Sequence, residues 1–135
     1  MESFRTNAKV IKLNVNDEGY CVELQVSNDV WIKAFLDFAI DAEKKSKDRL
    51  EMIKATDDIS EKVSHVVEFD KELKAGIAKL FGEGAYEQIF GADLVGAEYV
   101  VEFMDACMPY IEERVEQREK AFSKYSADKT GGAHV

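Results

Sequence analysis

Few residues in this chain have the type and spacing that chemistry requires. Gly82, Glu83 and Gly84 look like the first half of a dinucleotide-binding loop, but that loop needs a third glycine and follows a β-strand. Here Glu87 and Gln88 stand where the third glycine is wanted, and the preceding residues have a helical pattern. The segment therefore predicts no phosphate or nucleotide site.

Cys107 and His65 are the other residues with a chemically useful side chain. Cys107 lies on an apolar helical stripe, where cysteine is typical of a small core residue rather than a nucleophile. His65 has no second histidine or cysteine at metal-ligand spacing, which favours a surface or core role. The sequence thus predicts no catalytic residue, no cofactor and no metal site. An enzyme that uses Cys107 or His65 stands only as a third functional hypothesis.

Length and charge narrow the class of protein. The chain has 135 residues, of which 46% are hydrophobic, enough for one domain with a modest core. It has 27 acidic and 18 basic side chains and a formal net charge of −9, which repels phosphate backbones and anionic lipids. Nucleic acid and membranes are therefore poor partners, whereas the acidity fits a basic protein partner or simple solubility.

The lack of a recognisable targeting signal and the spacing of the two cysteines predict a cytosolic protein. The sequence shows neither a signal-peptide pattern nor an apolar run long enough to span a membrane. Cys21 and Cys107 lie far apart and belong to no CxxC motif. Reduced thiols are favoured over a disulfide, which the sequence leaves open.

The N-terminal part predicts a β-hairpin over residues 8–26. Apolar and polar residues alternate from Ala8 to Val15 and again from Tyr20 to Val26, on either side of a turn that contains Gly19. Because a lone hairpin is marginally stable in water, it must pack on helices or pair with another strand.

Helical periodicity accounts for most of the remaining chain. It predicts helices over residues 29–54, 58–81, 85–90 and 97–125. Glycines at 82, 84 and 91 can end helices around a short apolar corner, and Pro109 predicts a kink or break near Ala106. The fold class expected is α+β, mainly α, with the hairpin packed on a bundle of three long helices and one short helix. Residues 1–125 then form a single domain, and residues 126–135 a disordered tail.

The last predicted helix carries the candidate partner-binding residues. Apolar residues from Val100 to Tyr125 recur at nearly heptad spacing, which allows self-association, and a second stripe lies about 100° round the helix. The half after Pro109 is rich in charge, so it either stands off the core or packs on another chain. These stripes give the partner-binding candidates Tyr99, Phe103, Tyr110, Phe122 and Tyr125.

Several segments of the second half resemble one family of proteins. They are residues 77–84 (IAKLFGEG), residues 88–91 (QIFG), residues 109–112 (PYIE) and residues 124–126 (KYS). Together they resemble the tail assembly chaperones of long-tailed bacteriophages and related prophages of Gram-positive bacteria. The likeness is detailed only in the C-terminal part, and the remainder agrees in layout alone, an N-terminal hairpin followed by helices.

This resemblance implies a non-enzymatic role in virion assembly. Such proteins bind the tape measure protein, a very long helical chain, and keep it soluble while tail tube subunits polymerise around it. The implied partners are the tape measure protein and, as a second candidate, the tail tube protein. The implied location is the host cell cytoplasm, and the finished virion lacks the chaperone.

The resemblance supplies no catalytic or contact residues by motif. The family commonly makes a longer form by a programmed frameshift, which only the DNA would reveal. An alternative function is a cytosolic adaptor or regulatory module that binds an unrelated protein through the same helix.

Overall fold

The fold is α+β and mainly helical, as the sequence predicts. The computed structural model describes residues 10–15 and 19–131, with residues 127–131 described by their backbone only. Two antiparallel strands are followed by four helices, in the order β1 (Ile11–Val15), β2 (Tyr20–Leu24), α1 (Asp29–Lys54), α2 (Ile59–Phe81), α3 (Ala85–Phe90) and α4 (Ala97–Gly131). Residues 8, 9 and 16–18 of the predicted hairpin lie outside the described residues.

The hairpin buries one face, because its apolar residues alternate with polar ones. Leu13 of β1 lies opposite Val22 of β2, and Val15 opposite Tyr20. Val15, Val22 and Leu24 are buried. Strand β2 packs on α2 and α3, so the hairpin is stabilised by helices and, within the described residues, by no third strand.

Local side-chain contacts fix where the helices begin and end. The Asn28 side chain accepts hydrogen bonds from the backbone N–H groups of Val30 and Trp31 at the start of α1, and Asp58 caps α2 in the same way. At the other end of α2, the Trp31 indole Nε1 donates to the carbonyl of Leu80 over 2.7 Å. This bond satisfies a terminal carbonyl and ties α1 to α2.

The glycine corner between α2 and α4 forms as predicted. Gly82 ends α2 with φ 102°, Gly84 precedes α3 with φ 83° and Gly91 ends it with φ 95°. Only glycine tolerates such angles without strain. The Tyr86 hydroxyl accepts a 2.9 Å hydrogen bond from the backbone N–H of Val95, which holds the link to α4 against α3.

A chain of aromatic rings connects all four helices at the centre of the core. Successive ring centroids are 4.9 to 5.8 Å apart, a distance at which tilted and edge-to-face pairs stabilise a core. The six rings, in order of contact, belong to Phe35, Trp31, Phe81, Phe103, Phe90 and Tyr86.

Pro109 predicts a kink or a break near Ala106, and the break does not occur. Helix α4 runs without interruption from Ala97 to Gly131 with Pro109 inside it. A proline removes one backbone hydrogen bond, here the one to the carbonyl of Asp105. Because Asp105 and Pro109 are both exposed, water can reach this carbonyl and the flanking turns remain helical.

The predicted end of the last helix also needs correction. We expect a disordered tail from residue 126, but α4 continues to Gly131. Residues 126–130 contain neither glycine nor proline, and extending an existing helix costs far less than starting one. Residues 132–135 of the predicted tail lie outside the described residues.

Candidate protein-binding site

Helix α4 is longer than the core that it packs against. Its 35 residues span about 52 Å at the rise of an α-helix. Val100, Met104, Cys107 and Ile111 are buried, none more than 8% exposed. Further along the same stripe the side chains are exposed: Val115 by 45%, Phe122 by 60% and Tyr125 by 57%. We call residues 112–126 the C-terminal arm.

Helices α1 and α4 run antiparallel with a groove between them. Asp29 at the start of α1 forms ion pairs with Arg114 over 3.6 Å and with Arg118 over 3.1 Å. Lys47, far along α1, and Glu98, at the start of α4, line the same cavity. The two helices therefore point in opposite directions.

Two cavities lie along this α1–α4 groove. One of about 470 Å³ lies between α1 and the start of α4, with Phe69 and Leu73 of α2 also in its wall. The second, of about 290 Å³, is lined by Leu36 of α1 and by Met108, Ile111 and Val115 of α4, together with three glutamates. Val101 lines the first cavity, and Met108 and Val115 line the second. Each of these residues follows the one before it by seven positions, so the three share one line along α4.

The five predicted partner-binding residues do not form one patch. Tyr99, Phe122 and Tyr125 are more than half exposed, but Tyr99 and Phe122 are about 35 Å apart along the helix. Tyr110 is half-buried and packs against the core.

For Phe103, the structure gives a core position instead. This side chain is 8% exposed and lies between the rings of Phe81 and Phe90, at 5.4 and 5.8 Å. On the stripe that Phe103 shares with Tyr99 and Tyr110, Phe103 lies in the aromatic cluster, whereas Tyr99 is exposed. Because both stripes of α4 are apolar, periodicity alone does not tell which one the rest of the chain covers.

Sequence reasoning missed the side chains of the groove. Val101, Met108 and Val115 recur every seventh residue, and so do Asp105, Glu112 and Glu119. An apolar row flanked by a charged row at heptad spacing is the signal for a coiled-coil face. This pattern is visible in the sequence. The buried stripe beside it has the same spacing and is more apolar, so it gives the stronger signal.

A second apolar surface lies near the start of α2. Ile59, Val63 and Val66 are exposed by 76%, 53% and 46%, whereas Leu73 and Ile77 further along the helix are buried. The stripe on α2 therefore leaves the core at its N-terminal end, as the stripe on α4 does at its C-terminal end.

Asp70 is a buried charged residue that faces the beginning of α4. It is 7% exposed. Burial raises the pKa of its carboxyl group above the usual value, and nearby Glu98 raises it further. A hydrogen bond from the backbone N–H of Ala97 lowers it, because it favours the charged form at the positive end of a helix. The other carboxyl oxygen, Oδ1, has no hydrogen-bond partner in the structure.

We expect Asp70→Asn to raise the free energy of unfolding at neutral pH by about 1 kcal/mol. Asparagine can still accept the hydrogen bond from Ala97 but carries no buried charge. The pKa of Asp70 is raised in the folded state. Below the pKa of the unfolded state the carboxyl group is neutral and does not lower the free energy of unfolding. As pH rises through the folded-state pKa, wild type loses stability relative to the variant. Urea unfolding of both proteins at several pH values measures this, and an equal difference at all pH values would contradict it.

The two cysteines are free and have different surroundings. Cys107 is fully buried, and burial raises the pKa of its thiol to about 12. Cys21 is exposed and its Sγ donates to Asn14 Oδ1 over 3.0 Å. The structure thus gives Cys107 the core position that its apolar stripe indicates, and no disulfide joins the two residues.

Thiol labelling should distinguish the two positions. In native protein, Ellman's reagent is expected to modify Cys21 quickly and Cys107 only after unfolding, because a buried, protonated thiol does not attack. The Cys21→Ser variant should therefore react hardly at all with the reagent when folded. In denaturant its remaining thiol, Cys107, should react. Rapid labelling of this variant without denaturant would show that Cys107 is accessible.

His65 lies beside an arginine that forms an ion pair with a glutamate. Its Nδ1 lies 3.4 Å from Arg49, whose guanidinium binds Glu72 over 2.6 Å. Within residues 10–15 and 19–131, no cluster of histidine, cysteine and carboxylate side chains could hold a metal ion. None of the helices in that part of the chain is both long and apolar enough to cross a membrane.

Comparison with protein-family models, with curated proteins and with solved structures finds nothing that matches this chain.

Proposed function

We propose that this protein is a non-enzymatic tail assembly chaperone that binds the tape measure protein of a long-tailed phage or prophage. It keeps that protein soluble in the host cell cytoplasm while the tail tube assembles, and it does not remain in the virion. The tail tube protein is a second candidate partner. The resemblance at residues 77–91, 109–112 and 124–126 suggests the system.

The observation that carries the proposal is the exposed apolar stripe of the C-terminal arm. Val115, Phe122 and Tyr125 continue a stripe that is buried up to Ile111. Burying one large apolar side chain stabilises a complex by about 1.5–3 kcal/mol. A helical partner laid along the arm would cover these residues together.

Exposed apolar surface at both ends of the molecule fits an elongated partner. The arm extends beyond the start of α1, because Asp29 already contacts Arg118. Ile59 and Val63 lie at the opposite end, since α2 begins close after α1 ends at Lys54. A long helix can contact both regions, whereas a small ligand cannot.

The charge of the protein supports a role in solubility. A net charge of −9 keeps a complex with an aggregation-prone chain dispersed. The same surface would serve an adaptor for an unrelated protein, so the identity of the partner separates the two functions.

Co-expression tests the proposal directly. The tape measure protein encoded beside this gene should move from the insoluble to the soluble fraction when this chain is produced with it, and the two should co-purify. The matched control is the tape measure protein expressed under the same conditions without this chain. An unchanged soluble fraction, or co-purification with a host protein alone, would rule out the chaperone and favour the adaptor.

A further inference from the structure

Within the described part of the chain, four carboxylates of α4 line the α1–α4 groove without forming an ion pair: Glu98, which lies near Asp70, and three that lie further along the helix. Asp105 borders the larger cavity, and Glu112 and Glu119 border the smaller one. All three are exposed, and within the described part of the chain none forms an ion pair with a basic side chain. We call these three residues the acidic row.

The remaining charges around the groove are largely compensated. Glu116 pairs with Lys120 over 3.2 Å. On the α1 side, Lys47 pairs with Glu43 over 3.3 Å. The acidic row and Glu98, at the start of α4, therefore carry the uncompensated charge along the groove.

The acidic row runs parallel to the apolar row of the groove. Val101, Met108 and Val115 each precede a member of the acidic row by four residues, which is one helical turn. In coiled-coil terms, the apolar row occupies a positions and the acidic row e positions. A helix in the groove would place the residues that flank its own apolar stripe against these carboxylates.

From this arrangement we infer that the α1–α4 groove binds an amphipathic α-helix whose apolar stripe is flanked by lysine or arginine. The walls are two helices, and a third helix packs between them by the ordinary interlocking of side chains. The acidic row extends over about 21 Å, the length of about 14 helical residues. Taking the bound helix as a segment of the tape measure protein rests on the proposed function.

A second copy of this chain is a poor occupant. Two copies that meet through this groove would bring their acidic rows close together, and like charges at e positions oppose pairing. A basic helix instead gains both burial of the Met108 side chain, which adapts easily to a partner, and attraction to the three carboxylates.

The test uses two synthetic peptides in place of the unidentified partner. Both have three heptads with leucine at a and d, and they differ only in lysine or glutamate at e and g. Fluorescence anisotropy of labelled peptide is recorded against full-length protein at low and high salt. The lysine peptide should bind, more weakly at high salt because ions screen exposed charges, and the glutamate peptide should not bind.

Two double variants with the same change in net charge locate the site. Glu112→Lys with Glu119→Lys reverses two charges of the acidic row. Glu102→Lys with Glu113→Lys is the matched control, because both residues are exposed on a neighbouring side of α4 and line neither cavity. The first variant should bind the lysine peptide at least about tenfold more weakly and gain affinity for the glutamate peptide. The control should stay within about threefold of wild type.

Three outcomes would overturn the inference. Equal losses in both variants would show that attraction to net charge alone explains binding. Equal binding of both peptides would show that the acidic row selects nothing. A stable dimer of the chain that Glu112→Lys with Glu119→Lys dissociates would assign the groove to a second copy.

The peptide experiment is independent of the proposed function. It contains no phage protein, so its failure refutes the groove assignment and leaves the co-expression result standing. Peptide binding that depends on the acidic row, together with no effect in co-expression, would support the groove and refute the chaperone.

Discussion

Tyr86→Ala is expected to lower the free energy of unfolding by about 3–5 kcal/mol, the usual cost of removing a large buried aromatic side chain. Tyr86 is 1% exposed, its ring lies 4.9 Å from that of Phe90, and its hydroxyl accepts the hydrogen bond from Val95. The variant loses the packing of α3 and the tie to the α3–α4 link at once. Urea denaturation measures the effect, provided that the free energy of unfolding depends on urea concentration with the same slope in both proteins.

Two further variants separate the packing of Tyr86 from its hydrogen bond. Tyr86→Phe keeps the ring but leaves the N–H of Val95 unpaired, so we expect a loss of about 1–2 kcal/mol. Tyr99→Ala removes a tyrosine that is 54% exposed and should change stability by no more than about 0.5 kcal/mol. If Tyr86→Ala cost as little as Tyr99→Ala, the corner would not be packed as described.

Replacing Phe122 and Tyr125 together by alanine is expected to weaken the proposed binding of the tape measure protein at least about 100-fold, because exposed aromatic side chains often dominate protein interfaces. The fold should be nearly unaffected. Phe122 is 60% exposed and its ring contact with Arg118, at 5.2 Å, is worth less than about 1 kcal/mol. Co-expression gives the soluble fraction of the partner, and titration of the purified complex gives the affinity.

The control removes exposed apolar groups from two other elements. Tyr20→Thr with Val30→Ala changes two exposed side chains, 42% and 80% accessible, on β2 and α1. It should leave the partner soluble. Loss of solubility with this control, or full activity of the Phe122 and Tyr125 variant, would place the binding surface away from the arm.

The arm and the groove could be predicted from the sequence only in part. Phe122 and Tyr125 are among the predicted partner-binding residues and are exposed, whereas Phe103, predicted with them, lies in the core. All three are aromatic residues at helical spacing on one helix. Their periodicity is the same whether another part of this chain or another protein covers them.

The sequence by itself determined the elements, because their signals are local. The Gly19 turn between alternating residues predicts the hairpin, Asn28 and Asp58 predict helix starts, and three glycines predict the corner. A side chain that caps a helix, or a positive backbone φ that only glycine tolerates, affects the backbone of only a few neighbouring residues. Such features therefore depend little on which distant residues pack against them.

Only the tertiary structure decided which part of each apolar stripe is buried. The stripe of α2 is buried from Leu73 onward and that of α4 only as far as Ile111, and on α1 the buried residues Ile32 and Phe35 lie near its start. Pro109 leaves α4 continuous because Asp105 is exposed. Burial depends on residues distant in sequence that meet in space, and for this reason the groove, the acidic row beside it and the arm emerge only when the helices are packed together.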